Sequence, residues 1–413
     1  MEYNNYADFI KQTDKPIAFV LGRYITSDLG TVRNLGRKNI PSVVLNPYIK
    51  PISSFSKYYK GITCPHPKLN EKKYVGLLLN LGKKLINQGV LLPNGDAEVL
   101  AILKNKDKLE DYYKFSSADF EITEKILNKH VFYETIDKLG IPHPKTFFIN
   151  DESDIKKISK KVDYPCIVKP VYSDYFIYDF KIKLFMVKSK EELVKKYMIA
   201  TAKNHEVMIQ EIIPGGAKNT HGFNAYYNRD YFCNGSFMYR RIREWPHGFG
   251  NGCFIESVNI PDLEKIITFF IKKIRYYGIV DAEFKRDPRD NKFKLIEINP
   301  RCWMQNSLPA RCGINIPYMA YMDAIGERFG NQVFNKKHVK WLFMQEDFYS
   351  ALKSIRKGEL SFHEWMGSFK GEKEYAIFAS DDPIPFFVIF IKALFGFIPY
   401  FFKNLKTLST VSI

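Results

Sequence analysis

The sequence is short of the features that would assign it to several common protein classes. Its six cysteines include no C-x-x-C pair and no metal-finger spacing, which argues against a disulfide-built or zinc-bound domain and favours a reduced, cytoplasmic compartment. Zinc-knuckle, helix-turn-helix and RNA-recognition signatures are missing, so we expect no nucleic-acid partner. The acidic first residues lack an apolar core, and we expect no secretory signal there.

The composition is that of a globular protein enriched in aromatic residues. With 413 residues, 46% hydrophobic and 26% charged, the chain is long enough for two or three packed units. Lys and Arg number 62 against 45 Asp and Glu, a net charge of +17. This excess favours anionic partners such as nucleotides, phosphorylated substrates or acidic lipid surfaces, and the charge alone does not choose among them.

A strand, helix, strand pattern begins the chain. Apolar runs at 17–21, 41–45 and 90–93 are each followed by turn residues, and a helical pattern lies between the first two. This order predicts an open α/β domain with a parallel sheet over residues 14–115. Gly22 lacks the G-x-G-x-x-G spacing of a dinucleotide fingerprint, and we interpret it as closing a βα turn.

The remaining chain predicts an α+β unit with two lobes, at 116–200 and 201–330, followed by a C-terminal extension at 331–413. A helix is expected over residues 123–140, ending at Gly140. The clearest element is a hairpin whose strands flank a turn at 287–291.

Two carboxylates and one amide in this hairpin have the spacing of a magnesium site. Because side chains alternate along a strand, Glu297 and Asn299 share one face, and an antiparallel partner strand would bring Glu283 to them. Mg²⁺ takes such oxygen ligands and leaves positions for water and phosphate oxygens.

A plainer interpretation is that both glutamates are solvated and pair with Lys285 or Lys294. The strand, however, ends sharply at Asn299-Pro300-Arg301, which puts an arginine beside the carboxylates. A guanidinium beside a metal-phosphate cluster favours the magnesium site.

These segments resemble the ATP-grasp superfamily. Glu-Phe-Lys at 283–285 and Glu-Ile-Asn-Pro-Arg at 297–301 are similar to its metal-binding segment. Lys129 and Lys169 resemble its two nucleotide lysines, and Gln-Glu-Ile-Ile-Pro-Gly at 210–215 resembles its adenine-binding hinge. Each segment is weak alone, but all of them follow one another in the expected order.

The resemblance extends from about residue 17 to residue 326 and implies that ATP and Mg²⁺ are cofactors, with two ions and with Mn²⁺ as a substitute. It implies a role for each segment: nucleotide binding by Lys129, Lys169, Glu211 and the backbone near Ile213, magnesium binding by Glu283, Glu297 and Asn299, and stabilisation of the transferred phosphoryl group by Arg301 and Arg243. For the neighbouring Arg240 and Arg241, a surface role and a functional role stay equally open.

Within the superfamily the chain resembles the carboxylate–amine ligases that include D-aspartate ligase. The segments that carry this likeness are Thr31–Arg37, Leu92–Asp96, Arg240–Pro246 and Ser380–Pro385. The implied reaction joins a carboxylate, such as that of D-aspartate, to an amine through an acyl phosphate. A nucleotide-binding regulatory or scaffold protein without turnover is the alternative.

The segment that covers the phosphates in many ATP-grasp enzymes departs from the usual pattern. It is rich in glycine and serine there, whereas residues 172–180 here are mostly aromatic and contain no glycine. Bulky residues expose backbone N–H groups less readily, so a weakened nucleotide site is one interpretation. An aromatic segment in this position also resembles the D-aspartate ligase branch.

The sequence from 385 to 402 is almost wholly apolar and is interrupted by Lys392, Gly396 and Pro399. Three interpretations compete: an interfacial anchor, a poor transmembrane span and a segment packed on the protein. We favour an anchor at the inner face of an anionic membrane, because so many exposed phenylalanines would otherwise aggregate and the chain is basic. The substrate would then be a small molecule or a cell-envelope precursor.

Overall fold

The structure is a computed structural model. It describes residues 9, 13–23, 25–149 and 152–392, apart from the side chains of residues 152 and 174.

The N-terminal sheet is parallel, with strand order β3-β2-β1-β4-β5. Its strands are β1 (Ala18–Leu21), β2 (Ser42–Asn46), β3 (Gly61–Thr63), β4 (Gly89–Pro93) and β5 (Tyr113–Phe115). The helices of this part are α1 (Ile25–Gly36), α2 (Glu71–Gly82), α3 (Asp96–Lys104) and α4 (Lys106–Leu109), with a 3₁₀ turn at Ile52–Phe55. Strands β1, β2 and β4 are buried throughout, as expected of apolar runs covered on both faces. The predicted open parallel sheet is confirmed.

Gly22 directly follows β1, where the backbone passes close to a buried carboxylate. A Cβ at Gly22 would lie 2.6 Å from Asp28 Oδ2, so a larger residue would displace that group. Asp28 accepts hydrogen bonds from the backbone N–H of Arg23 at 3.0 Å and from the amides of Asn46 and Asn94 at 2.7 and 2.8 Å. The glycine therefore serves the βα turn, as predicted.

The small-lobe sheet is antiparallel, with strand order β6-β9-β7-β8. Its strands are β6 (Thr146–Phe148), β7 (Cys166–Pro170), β8 (Phe185–Val187) and β9 (Val207–Glu211). The accompanying helices are α5 (Phe120–Leu127), α6 (Lys129–Lys138), α7 (Glu152–Ile158), α8 (Ser173–Phe180) and α9 (Lys190–Thr201). Strand β9 lies beyond the predicted lobe boundary at residue 200 and pairs with β6 and β7.

The single helix expected over residues 123–140 is wrong in one respect, because the chain forms two helices there. Asn128 separates α5 from α6, and its side chain accepts hydrogen bonds from the backbone N–H groups of His130 and Val131. An asparagine that caps N–H groups in this way begins a new helix. The break sets Lys129 at the first position of α6.

The large sheet has strand order β14-β13-β10-β11-β12-β15-β16 and is antiparallel except between β15 and β16. Its strands are β10 (Thr220–Tyr227), β11 (Cys233–Trp245), β12 (Asn251–Val258), β13 (Gly278–Arg286), β14 (Phe293–Asn299), β15 (Lys340–Leu342) and β16 (Lys373–Tyr375). The helices are α10 (Pro261–Ile274), α11 (Ser307–Arg311), α12 (Ile316–Ile325), α13 (Met344–Arg356), α14 (Phe362–Ser368) and α15 (384–392), with a 3₁₀ turn at Ala217–Asn219. Strands β15 and β16 belong to the predicted extension and lengthen this sheet.

One apolar core joins the N-terminal sheet to the large sheet. It contains Val20 and Leu92 from the first sheet, Tyr226 and Ile279 from the second, and Met319 of α12 between them. Burial of this much apolar surface fixes the two sheets relative to one another. The carboxyl ends of β1 and β4 are thereby held near the end of β14, where the predicted metal segment lies.

The apolar C-terminal segment falls only partly within the described residues. Residues 384–392 form α15, whereas 393–402 lie outside the described part of the chain. Among the described helices, none has the length and apolar character needed to cross a bilayer.

Candidate functional site

The hairpin of β13 and β14 aligns the predicted magnesium ligands. Glu283 is paired with Glu297, and Asp281 is paired with Asn299. A bulge between Glu283 and Phe284 interrupts the register just beyond the carboxylates. The alternation argued from the sequence therefore brings Glu283, Glu297 and Asn299 onto one face.

Asp281 orients the side-chain amide of Asn299, which the sequence predicts as a magnesium ligand. Its two carboxylate oxygens accept hydrogen bonds from Asn224 Nδ2 at 2.8 Å and from Asn299 Nδ2 at 3.0 Å. The oxygen of Asn299 is thus turned away from Asp281, toward Arg301, whose terminal nitrogen is 3.3 Å away. Burial raises the pKa of Asp281 to about 7, while Arg301 and the bond from Asn299 lower it.

Positive charge surrounds the carboxylate pair. Burial tends to raise the pKa of Glu297, but Lys129, Lys169 and Lys183 outweigh it and hold the pKa well below its usual range. Burial raises the pKa of Glu283 even though the Arg241 guanidinium opposes it. Glu297 is therefore the carboxylate that is ionised most readily.

The two nucleotide lysines of the resemblance reach the same region from different elements. Lys129 is buried at the start of α6 and donates to Ser173 Oγ at 2.8 Å. Lys169 is buried on β7 and donates to the Tyr133 hydroxyl at 3.1 Å and to Gln210 Oε1 at 3.4 Å. Burial lowers the pKa of Lys169, and Glu297 raises it.

The predicted adenine hinge lines the cavity beside these lysines. Glu211, Ile212 and Ile213 form part of its wall. The Glu211 carboxylate accepts hydrogen bonds from the backbone N–H of Lys145 at 2.8 Å and from Arg289 at 2.9 Å. These bonds fix the carboxylate at the edge of the large sheet.

Arg301 connects the metal segment to the N-terminal domain. Its Nε donates to Asp96 Oδ1 at 2.5 Å, and Asp96 is the first residue of α3. Asp96 also ends the Leu92–Asp96 segment that carries the branch likeness. The arginine is therefore shared between the carboxyl edge of the N-terminal sheet and the end of β14.

Arg243 is directed into the protein, where α13 packs against β11. Its guanidinium donates to both oxygens of Asp347, at 2.6 and 3.1 Å, and to Ser368 Oγ at 2.9 Å. It also lies over the Phe254 ring, 4.7 Å from the centroid. Arg243 is not among the residues that line the described part of the cavity.

Arg241, which the sequence left undecided, lines the cavity instead. Its guanidinium donates to Glu283 and, at 3.1 Å, to Glu244. Strict alternation would have put Arg241 and Arg243 on one face of β11. The register shift between them separates their directions, and the sequence carries no signal for that bulge.

The rest of the cavity is closed by loops from both lobes. Lys183, which follows α8, donates to Asn251 Oδ1 at 2.7 Å, and the residues just before Asn251, Gly248, Phe249 and Gly250, also line the cavity. Desolvation lowers the pKa of Lys183, while Glu297 and Glu283 raise it. Residues 173–180 of the glycine-free segment form helix α8, whose Ser173 is the partner of Lys129. Sequence reasoning gave no signal for Lys183.

The donor set fits a magnesium ion that shares its coordination with a phosphate. Within the described ranges, no group of three or more His, Cys, Asp or Glu side chains could hold a metal ion. Glu283, Glu297 and Asn299 supply two carboxylates and one amide. Oxygen ligands with room for water and phosphate are what Mg²⁺ takes alongside a nucleotide, whereas zinc favours nitrogen and sulfur.

The chain has similar relatives among known proteins. It is 27% identical to D-aspartate ligase of Enterococcus faecium (strain Aus0004) over 263 residues. This alignment covers 61% of this chain and 60% of that protein. It is 27% identical over 209 residues to D-alanine–D-alanine ligase of Wolbachia sp. subsp. Brugia malayi (strain TRS), which covers 42% of this chain and 55% of that one. The chain thus spans less than two thirds of the length of either relative. No protein-family model matches it.

A solved structure has the same fold. The biotin carboxylase of Campylobacter jejuni, solved as a β,γ-ATP complex, superposes with a TM-score of 0.60 at 15% identity and covers 78% of this chain and 74% of that one. Fold, motif order and sequence similarity agree. The predicted resemblance to the ATP-grasp superfamily, and within it to the carboxylate–amine ligases that include D-aspartate ligase, is therefore confirmed.

Proposed function

We propose that the chain is an ATP-dependent ligase that joins a carboxylate to an amine through an acyl phosphate. One observation carries the proposal: the charges of Lys129, Lys169 and Arg241 act on the paired carboxylates Glu283 and Glu297, and all of these side chains except Lys129 line one cavity. Phosphoryl transfer needs fixed positive charge around phosphate oxygens, and this cavity supplies it.

ATP would lie between the small-lobe sheet and the large sheet. Lys129 and Lys169 would hold its α- and β-phosphates through charge-assisted hydrogen bonds. The hinge at Glu211 and Ile213 would hold the adenine, since an extended segment offers backbone groups to a planar base.

Glu283, Glu297 and Asn299 would hold magnesium, which we expect to bind as two ions and to be replaceable by Mn²⁺. When bound, the metal neutralises the charge that develops on the transferred phosphoryl group. Asp281 accepts a hydrogen bond from the Asn299 amide nitrogen, which leaves the amide oxygen beside Arg301 to serve as the ligand. Glu297, whose pKa is held low by the lysines, presents its charged form near neutral pH.

The reaction proceeds in two displacements. A carboxylate oxygen of the substrate attacks the γ-phosphorus, the bond from that phosphorus to the β–γ bridging oxygen breaks, and ADP leaves. The amine nitrogen then attacks the acyl carbon, the carbon–oxygen bond to phosphate breaks, inorganic phosphate leaves, and the nitrogen loses a proton. Positioning and electrostatics carry both steps, so no nucleophilic side chain is required.

Arg301 and Arg241 are the guanidinium groups that contact the predicted magnesium ligands, and they would stabilise the transferred phosphoryl group. Arg301 reaches Asn299, and Arg241 reaches Glu283. The resemblance assigned this role to Arg243 as well. Arg243 would act on the transferred phosphoryl group only indirectly, through the support that it gives to β11. Its partner Asp347 holds it away from the cavity lining.

The similarity to D-aspartate ligase suggests an amino acid such as D-aspartate as the carboxylate substrate. The amine would belong to a small molecule or to a cell-envelope precursor. We further propose that the enzyme works at the inner face of a membrane, because the apolar segment at 385–402 is followed by Lys403 and Lys406. The alternative remains a nucleotide-binding regulatory or scaffold protein without turnover.

The test is release of phosphate from ATP in the presence of pooled amino acids and amines, with products identified by mass spectrometry. Glu297→Gln should reduce release at least a hundredfold, because it removes the charge that the lysines stabilise. Glu256→Gln is the matched control: this carboxylate lies on β12 of the same sheet and pairs with Arg240. ATP binding without release under any substrate pool would favour the regulatory protein.

A further inference from the structure

The C-terminal part of the protein has an apolar groove that the catalytic site does not use. The groove has a volume of about 390 Å³ and is walled by α13, by the segment after β16 and by α15. Apart from Gln345, every residue that lines it is apolar or aromatic. Its rim includes Phe348, Tyr349, Phe378 and Phe390.

The groove continues into a wider exposed surface, which we call the C-terminal face and define as the exposed apolar side chains of α13, α14 and α15. Ring contacts connect it, because Phe348 lies 6.0 Å and Phe362 5.8 Å from Trp365. The side chains of Phe348, Phe362 and Phe390 are 42%, 64% and 51% exposed. A contiguous exposed surface of this kind marks an interaction site.

Basic side chains beside this face favour an anionic partner, and the exposed acid next to them, Glu359, is paired with Lys357. The last turn of α13 carries Lys353 and Arg356, followed by Lys357, and all three side chains are exposed. Beyond Asp382 the sequence contains lysines at 392, 403 and 406 and no acidic residue, among many phenylalanines. The exposed aromatic side chains of the face, with the exposed basic side chains of α13 and Lys392 beside them, match the headgroup region of an anionic bilayer.

The C-terminal face is fixed to the catalytic site by α13. Asp347 on the inner side of this helix is the buried partner of Arg243. His247 Nε2 lies 3.0 Å from the carbonyl of Ser350, and the residues after His247 line the catalytic cavity. Tyr349 of the face lies 5.8 Å from Trp245, at the start of that same loop.

We infer that the C-terminal face docks on the surface of an anionic lipid bilayer and holds the loop that lines the catalytic cavity, residues 248–250, close to the headgroups. The inference rests on the proposed membrane location and adds the surface, the charge of the lipid and the orientation of the site. A substrate carried by a lipid would then reach the cavity without leaving the bilayer surface.

The test is co-sedimentation of the full-length protein with sucrose-loaded vesicles of phosphatidylcholine, with and without phosphatidylglycerol. We expect binding to vesicles with phosphatidylglycerol at least tenfold stronger, and a decrease in binding as salt rises. Phe348→Ser/Phe362→Ser should weaken binding at least tenfold. The matched control is Phe232→Ser/Phe269→Ser, whose side chains are 54% and 43% exposed outside the C-terminal face, and it should bind within twofold of the wild type.

Two further measurements test the role of the basic side chains and the position of Trp365 at the bilayer. Arg356→Glu/Lys357→Glu changes exposed charge without replacing an apolar side chain and should also weaken binding to vesicles with phosphatidylglycerol. Brominated acyl chains should quench Trp365 fluorescence, and the loss of this quenching in Trp365→Phe identifies its source.

If Phe348→Ser/Phe362→Ser bound vesicles as strongly as the wild type, the inference would be overturned, because the apolar segment at 385–402 alone would then be the anchor. If the wild type were a dimer and this variant a monomer, the inference would be overturned, because the C-terminal face would then bind a second copy of the chain. If the wild type did not bind vesicles, the inference would be wrong. Glu297→Gln should bind vesicles normally, so failure of the ligase proposal and failure of docking are separable.

Discussion

Arg33 of α1 and Asp382, which are 349 positions apart in the sequence, form a buried ion pair. Arg33 Nε donates to Asp382 Oδ2 at 2.9 Å, and its terminal nitrogen donates to the Asp382 carbonyl at 2.8 Å. Ser56 Oγ and the backbone N–H of Lys57 also donate to the Asp382 carboxylate. Two segments that the sequence linked only through family likeness, Thr31–Arg37 and Ser380–Pro385, are therefore two sides of one contact.

Asp382→Ala should lower the free energy of unfolding by about 3–5 kcal/mol, because it leaves the Arg33 charge buried without its partner. The neighbouring Asp381 is the control, since its pair with Arg37 is 37% exposed on both sides. Asp381→Ala should cost less than about 1 kcal/mol. Equilibrium unfolding in urea measures both, and equal shifts of the midpoint would contradict the assignment.

Asp281→Asn should impair metal binding more than folding. An amide has one acceptor oxygen, so only one of the amides of Asn224 and Asn299 keeps its hydrogen bond. Asn299 is then free to turn its NH₂ group toward the ligand position. We expect the Mg²⁺ concentration for half-maximal ATP turnover to rise about 10- to 100-fold.

Asp230→Asn, an exposed carboxylate in the turn after β10, should leave this magnesium dependence unchanged. A loss of maximal turnover with an unchanged magnesium requirement would mean that Asp281 is merely structural.

Arg241 and Arg243 should separate into a functional and a structural arginine. Arg241→Gln should reduce ATP turnover about 100- to 1,000-fold, because it removes a fixed guanidinium from the phosphate region. Arg243→Gln should lower the free energy of unfolding by about 3–5 kcal/mol, because Asp347 is left buried and unpaired. Turnover per folded molecule should then stay within about tenfold of the wild type. The reverse pattern would restore Arg243 to the phosphoryl site.

The sequence predicted a site residue correctly where the local periodicity alone determines the direction of its side chain. Alternation along the regular stretches at 281–283 and 297–299 was enough to bring Glu283, Glu297 and Asn299 together. It could also have found Asp281, which shares the face of Glu283. The bulge between Arg241 and Arg243 breaks that alternation, and nothing local in Arg-Arg-Ile-Arg predicts it.

Long-range contacts set the second limit. Asn128 divides a helix whose apolar stripe reads as continuous, and the cap that stabilises the break is visible only in three dimensions. The exposed apolar surface of α13 and α14 depends on which residues the large sheet leaves uncovered. The pairing of Arg301 with Asp96 likewise depends on how the two sheets share a core.

His221 should make the stability of the protein depend on pH. Burial lowers the pKa of its imidazole to about 4, against 6.5 for an unperturbed histidine, with smaller lowering effects from Arg240 and Arg286 and an opposing hydrogen bond to the Asn219 carbonyl. Between these two values the unfolded chain binds the proton more strongly than the folded one. The contribution of His221 to the free energy of unfolding is therefore complete above pH 6.5. It is lost as the pH falls toward 4, by about 3 kcal/mol in all.

His221→Gln removes this titration, so the difference in unfolding free energy between wild type and variant is the quantity to measure. Buried acids such as Asp28, whose pKa is raised to about 6, titrate in both proteins and cancel in that difference. In urea unfolding from pH 7.5 down to pH 4.5, the wild type should lose about 2–3 kcal/mol relative to His221→Gln. The exposed His363 on α14 is the control, and His363→Gln should follow the wild type at every pH. A difference that stayed constant over this range would mean that His221 titrates alike in the folded and unfolded chains.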